Sequence, residues 1–186
     1  MMMVELTRHP STPADAVRGI SVRLRRSADG GLALTFRLDA DLARVRVPAP
    51  RRPCIAHQLW EHTCFEAFVA VDGAAAYHEF NFAPSGEWVV YEFHSYRNAA
   101  GLGDETLDPG IAVRHRADRL ELDARVRLDR LSPLHQSAPL RLGLSAVIED
   151  HDGARSYWSL HHPAGAPDFH HTEALAVRLE PTGEEC

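Results

Sequence analysis

Carboxylates, an amide and aromatic rings crowd one stretch of this chain, from Leu59 to Arg97, which reads LWEHTCFEAFVAVDGAAAYHEFNFAPSGEWVVYEFHSYR. Glu66, Glu79, Glu92, Asn81, His62 and His78 are set among Trp60, Trp88, Tyr77, Tyr91, Tyr96 and five of the seven Phe residues. Apolar bulk belongs in a core and ionisable groups normally do not, so a stretch that mixes them builds a core and a second, functional face. Aromatic platforms beside fixed carboxylates and amides suit a sugar. The rings pack against apolar C–H surfaces while the polar groups bond to hydroxyls. Arg97 could add a clamp for an anionic group on the ligand.

A second dense segment, SYWSLHHPAGAPDFHH, runs from Ser156 to His171. His161, His162, His170 and His171 around Asp168 raise a transition-metal reading, zinc or iron, and bis-His ligation would be needed for haem. A mononuclear site would draw on His161 or His162, Asp168, and His170 or His171. Neighbouring strand residues point to opposite faces, so at most one His of each pair can enter a given site. The other reading of this segment is a buried, hydrogen-bonded corner. Calcium would instead find hard oxygen ligands in Glu66, Glu79 and Asn81.

The elements that position these residues are strands. Ile20, Val22 and Leu24 alternate with Arg23 and Arg25; Leu32 to Leu38, Leu120 to Leu128 and Leu140 to Ile148 repeat the period of two. Helical periodicity is nearly absent, with room for a short turn only at Ala14–Arg18 and a loop at Asn98–Leu107. About ten short strands predict an all-β, antiparallel β-sandwich in a single domain over residues 1–186. The Pro-rich Val47–Pro53 is the expected long connection.

Two turns set the expected register of the central segment. A two-residue loop at Asp72-Gly73 places Glu66 opposite Glu79, and a four-residue loop at Ala83–Gly86 places Asn81 opposite Trp88. One face then carries Phe65, Phe80, Phe82, Val89, Tyr91 and Phe93 as core. The other carries His62, Glu66, Phe68, Tyr77, Glu79, Asn81, Trp88, Glu92 and Tyr96. Like charges directly opposed on a sheet are unfavourable. The Glu66–Glu79 pair therefore predicts an intervening Arg, favoured because arginine is plentiful and suited to carboxylates, or else a bound cation or one protonated member.

Composition narrows the function classes. The net charge of −6 without basic clustering argues against a nucleic-acid partner, and all twenty basic residues are Arg, which excludes Lys chemistry. The N-terminus lacks the apolar core of a signal peptide, no run is long enough for a membrane helix, and Cys54, Cys64 and Cys186 read as free thiols. A cytoplasmic protein is the expectation. GxSxG, GxGxxG, P-loop and HExxH signatures are all missing, so binding is favoured over catalysis.

At LWEHTCFEAFVAV, YHEFNFAPSGEWVVYEFHSYR and SYWSLHHPAGAPDFHH the chain resembles bacterial DOMON-like proteins, relatives of the family-9 carbohydrate-binding modules. The resemblance spans most of the chain, from about Ala33 to Leu179. It implies a β-sandwich that binds a sugar or a haem. The reading that follows is a non-catalytic sandwich holding a carbohydrate or sugar-derived small molecule on the Glu66/Glu79/Asn81/Trp88/Glu92 face, with His62, Trp60, Tyr96 and Arg97 near its rim. A metal or haem protein built on His161–His171, or a structural interaction module, are the alternatives.

Overall fold

Strands with one buried and one solvated face make up most of this molecule, because an alternating side-chain pattern leaves each strand one apolar surface to bury. The computed structural model describes residues 1–182. The strands are β1 (Met2–Arg8), β2 (Val17–Arg26), β3 (Gly31–Ala40), β4 (Cys64–Val71), β5 (Tyr77–Phe82), β6 (Trp88–Ser95), β7 (Asn98–Leu102), β8 (Gly110–Arg116), β9 (Arg119–Arg127), β10 (Leu140–Glu149), β11 (Arg155–Ser159) and β12 (Val177–Leu179). One four-residue helix, α1 (Leu134–Ser137), and three 3₁₀ turns are the helical content. No helix among the described residues is long and apolar enough to cross a membrane.

The strands form two antiparallel layers. One runs β1-β2-β3-β9-β8; the other runs β7-β6-β5-β4-β10-β11, with β12 pairing the start of β10. β1 belongs to both: Met2 to Leu6 pair with β2, then Thr7 and Arg8 pair with Ser159 and Trp158 of β11. The main core lies between the layers, where Ile20, Val22, Phe36 and Leu122 meet Phe65, Phe80, Phe82 and Leu144. Phe36 and Phe65 touch across the gap with ring centroids 5.2 Å apart.

The sandwich and its alternating strands β2, β3, β9, β10 and β11 match the sequence expectation, with twelve strands in place of about ten. The additional ones are short or marginal. In β7, expected as part of a loop, four of the five residues are exposed. β8 has only Ile111 and Val113 packed on the core. Cys54 is exposed, Cys64 is buried and both are free thiols, whereas Cys186 lies outside the described residues.

The central meander departs from the expected register at both turns. Pairing of β4 with β5 ends at Ala70 and Tyr77, so the turn is longer than Asp72-Gly73. Glu66 therefore faces Asn81, and Phe68 faces Glu79. That shift of two residues keeps every side chain on its expected face. The second turn is different. The Gly86 amide donates to the Ala83 carbonyl (2.9 Å), Gly86 takes φ +93°, and the Ala83 amide donates to the Glu87 carbonyl (2.9 Å). Glycine in this left-handed conformation adds one residue to the loop, which a side chain would resist. Phe82 therefore pairs with Trp88 and Asn81 with Val89.

A one-residue slip turns a whole strand over. Trp88 and Val90 enter the main core, and Glu92, opposite His78, leaves the ligand face for an exposed position. Val89, Tyr91 and Phe93, expected inside, come out to join Cys64, Glu66, Phe68, Tyr77, Glu79 and Asn81.

Candidate functional site

The outer face of β10-β4-β5-β6 is covered at two ends and open between them. At one end Phe68, Ala70, Tyr77 and Phe93 pack with Leu175 and Phe169. At the other, Cys64, Ala83 and Val89 pack beneath Leu59, Ile55 and Ala56. The long connection expected at Val47–Pro53 continues into this second cover. The strap of residues 163–175 seats on the sheet because Gly143 leaves room there. A Cβ on Gly143 would lie 3.2 Å from the Ala174 carbonyl oxygen and 3.3 Å from Phe68 Cβ. Arg141 fastens the strap, donating from Nε (3.1 Å) and Nη2 (2.8 Å) to the Leu175 carbonyl.

Between the covers lies a cavity of about 470 Å³, within the range of small-molecule sites. Glu66 and Glu79 form its floor and are 2% and 6% exposed. Its aromatic walls are Trp60, Phe68, Tyr91, Phe93, Tyr157 and Phe169, with Arg97, Arg155 and His170 as the bases that line it. Tyr77 stacks on Phe93 (4.8 Å, 5°) beside the cavity, and the Trp60 ring stands edge-on to Tyr91 at 5.8 Å.

The floor acids hold protons more tightly than ordinary carboxyls. Ser145 Oγ donates to Glu66 Oε2 at 3.0 Å. Burial first, and then the neighbouring Glu79 charge, nonetheless raise the Glu66 carboxyl well above the usual range. Burial also raises Glu79, offset in part by the Asn81 amide, which donates to its Oε1 at 2.8 Å, and by the charge of Arg97. Of the three outcomes expected for this pair, a protonated member fits best. Among the described residues no Arg makes an ion pair with either acid. Asn81 directs its amide nitrogen at Glu79 while its Oδ1 faces the Cys64 thiol (3.6 Å), so its oxygen is not shared with the two carboxyls as calcium would require.

His170 reaches over the floor from the strap. Its Nδ1 shares a hydrogen bond with Tyr77 Oη at 2.8 Å, and its Nε2 lies 3.5 Å from Glu79 Oε2. Burial, and then the Arg97 charge, lower this imidazole to about 4, so it is neutral at pH 7. The Arg97 amide donates to Tyr77 Oη at 3.2 Å. Arg97 itself holds φ +53°, unusual for a residue with a Cβ. Its guanidinium donates to Asp168 Oδ1 at 2.7 Å, and Tyr96 Oη donates to Asp168 Oδ2 at 2.5 Å. The anion clamp expected of Arg97 is thus already engaged by a carboxylate.

Of the ligand residues expected from sequence, Glu66, Glu79, Trp60 and Arg97 line the cavity, and Asn81 sits behind the floor. Tyr96 lies in a neighbouring groove with Asp168 and His171. His62 does not reach the cavity; its Nδ1 meets Glu149 Oε2 at 2.7 Å. Trp88 and Glu92 are removed from the face by the bulged turn. Tyr91, Phe93, Tyr157, Phe169 and Arg155 were not expected there. The glycine at position 86 was the signal for the first two, and the pairing of β11 with β10, far away in sequence, supplies Tyr157 and Arg155.

The five residues of the metal reading scatter. His170 turns to Tyr77 and Glu79, and Asp168 to Arg97 and Tyr96. His161 Nε2 and His171 Nδ1 each lie 3.6 Å from Glu173, and His162 Nε2 meets the Thr7 carbonyl at 2.8 Å. No group of three His, Cys, Asp or Glu side chains suited to a metal ion is found among the described residues. The segment is hydrogen-bonded, as the corner reading expected, but it is not buried: every residue from Leu160 to His171 is half-buried or exposed.

No protein-family model matches the chain, and no curated protein matches it. Solved structures do. A protein from Bacteroides uniformis to which carbohydrate binding is ascribed superposes with a TM-score of 0.62 at 15% identity, over 89% of this chain and 82% of that one. A family-9 carbohydrate-binding module from Caldicellulosiruptor kristjanssonii in complex with glucose gives 0.56 at 13% identity, covering 94% and 81%. The same organism's family-9 module in complex with cellotriose gives 0.57 at 14%, covering 98% and 84%. The chain therefore has the β-sandwich fold of these carbohydrate-binding proteins.

Proposed function

We propose that the cavity on the outer face of β4, β5, β6 and β10 binds a carbohydrate or sugar-derived small molecule. The observation that carries this reading is a floor of buried, hydrogen-bonding carboxyls enclosed by aromatic walls. Glu66 and Glu79 can bond to hydroxyls, and Trp60, Tyr91, Phe93, Tyr157 and Phe169 offer apolar surface to the C–H faces of a ring. The glucose and cellotriose complexes of the similarly folded modules support a sugar as the ligand class.

A panel of mono- and disaccharides tests the reading by thermal shift. A sugar at 100 times its Kd stabilises the fold by about 2.7 kcal/mol. At about 2–4 °C per kcal/mol for a chain of this size, the melting temperature rises roughly 5–10 °C. That rise should vanish in Tyr91→Ala. No saturable shift with any sugar would remove the carbohydrate reading.

A further inference from the structure

Two nearly buried acids line this cavity, and two of its three bases do not offset them. Ser145 occupies one oxygen of Glu66; the other makes no hydrogen bond among the described residues, although the side chain is 98% buried and borders the cavity. Glu79 is bonded on one oxygen by Asn81 and meets only a long, 3.5 Å approach from His170 on the other. Two of the three bases are already engaged. Arg97 is paired with Asp168 at 2.7 Å, and His170 is uncharged at pH 7 with its Nδ1 bonded to Tyr77. Arg155 is exposed at the edge of the cavity; its side chain donates to the Glu61 carbonyl at 3.5 Å and makes no ion pair among the described residues.

The walls bear on the same question independently. The rings of Trp60, Tyr91, Phe93, Tyr157 and Phe169 line the space above these acids. Aromatic faces attract a cation through their quadrupole, and they do so most strongly where water is excluded. An ammonium group can donate to both carboxyls while its carbon skeleton lies against the rings. A neutral sugar brings hydroxyl donors but no charge to balance two buried acids.

We propose that the ligand carries a protonated amine, making it an amino sugar whose ammonium group is received by Glu66 and Glu79. The inference rests on the carbohydrate reading above and sharpens it. Binding then displaces the proton that the acids hold in the empty pocket. Affinity rises with pH as the acids ionise, and falls again where the amine of the ligand loses its own proton.

Isothermal titration of the whole chain with glucosamine, glucose and N-acetylglucosamine at pH 5, 6 and 7 decides the matter. Glucosamine should bind at least about tenfold more tightly than the two neutral sugars at pH 7, a gap set by one charge-assisted contact. The gap should narrow at pH 5, and titrations in buffers of different ionisation enthalpy should show proton release with glucosamine alone. Glu66→Gln and Glu79→Gln, which keep the shape of the floor, should remove most of the preference while still melting cooperatively. Equal affinity for glucosamine and glucose overturns the amine and leaves the carbohydrate reading in place. Failure of all three sugars to bind overturns the carbohydrate reading and the amine with it.

Discussion

Replacing Trp88 with alanine separates the bulged register of β6 from the simple one, because the two give opposite outcomes. In the structure Trp88 is 4% exposed in the main core, and its backbone bonds to Cys54 and Ala56 of the long connection. Truncating a buried Trp costs about 3–5 kcal/mol in lost transfer energy and cavity formation. That is a large part of a total stability of about 5–15 kcal/mol. With a urea slope of about 1–3 kcal/mol/M, the unfolding midpoint should fall by roughly 1–5 M at unchanged slope. Sugar affinity of the folded fraction should hardly change, since Trp88 faces away from the cavity. Tyr91→Ala should do the reverse: it removes a half-buried ring from the cavity wall at a cost of about 1 kcal/mol and eliminates sugar binding. Urea titrations with and without saturating sugar measure both quantities for both variants. If Trp88→Ala keeps its midpoint and loses the sugar effect, while Tyr91→Ala loses its midpoint and keeps the effect, the register and the site built on it are wrong.

Three other outcomes follow from the charges and bonds of the site. Glu66 has a higher pKa folded than its ordinary 4.5, so its cost to the fold is absent in acid and grows as pH rises past that value. The melting temperature of Glu66→Gln should accordingly exceed that of the unmodified protein at pH 7 and converge with it near pH 4; a gap independent of pH would contradict this. His78 is lowered from 6.5 to about 4 by burial and then by the charge of nearby His135. Its neutral form contributes stability above pH 6.5 that is lost as pH falls toward 4. His78→Leu should therefore melt with a weaker dependence on pH over that window, and an unchanged profile would count against it. Asp168→Asn weakens the ties to Arg97 and Tyr96, which are largely solvent-exposed; global stability should change by less than about 1 kcal/mol. Amide exchange across residues 163–171 should nonetheless quicken in the free protein, and unchanged exchange would show that the strap is held elsewhere.

The layers of the sandwich were legible because the strands that build them have unlike faces. β3 alternates Leu32, Leu34, Phe36 and Leu38 with more polar neighbours, and such a pattern admits one orientation. β1 and β8 carry only a few apolar residues at the right spacing, so period alone does not reveal them. In the site, Glu66, Phe68, Tyr77, Glu79 and Asn81 kept their shared face even though the β4–β5 register moved by two. The reading failed at Gly86. Ala83-Pro84-Ser85-Gly86 fits a four-residue loop, but a left-handed glycine adds a fifth residue and turns β6 over. The partner of the two glutamates was also misjudged: abundant arginine suggested an ion pair, whereas Arg97 is engaged by Asp168, a contact between residues 71 positions apart. The histidines were grouped by their closeness in sequence, although adjacent residues such as His170 and His171 turn to different partners.

Because β1 hydrogen-bonds to both layers, assembly of this molecule has a late step that involves its earliest residues. Thr7 and Arg8 cannot dock until β11, some 150 residues further on, is in place. Loop closure over such a span is entropically unfavourable until other contacts support it, and folds dominated by distant pairings form slowly. A chain emerging from the ribosome therefore carries the end of β1 unpaired on its β11 side until β11 has been made. β11 also supplies Tyr157 and Arg155 to the cavity. The pocket is thus complete only once β11 has paired, and binding of the proposed ligand reports that segments some 150 residues apart have met.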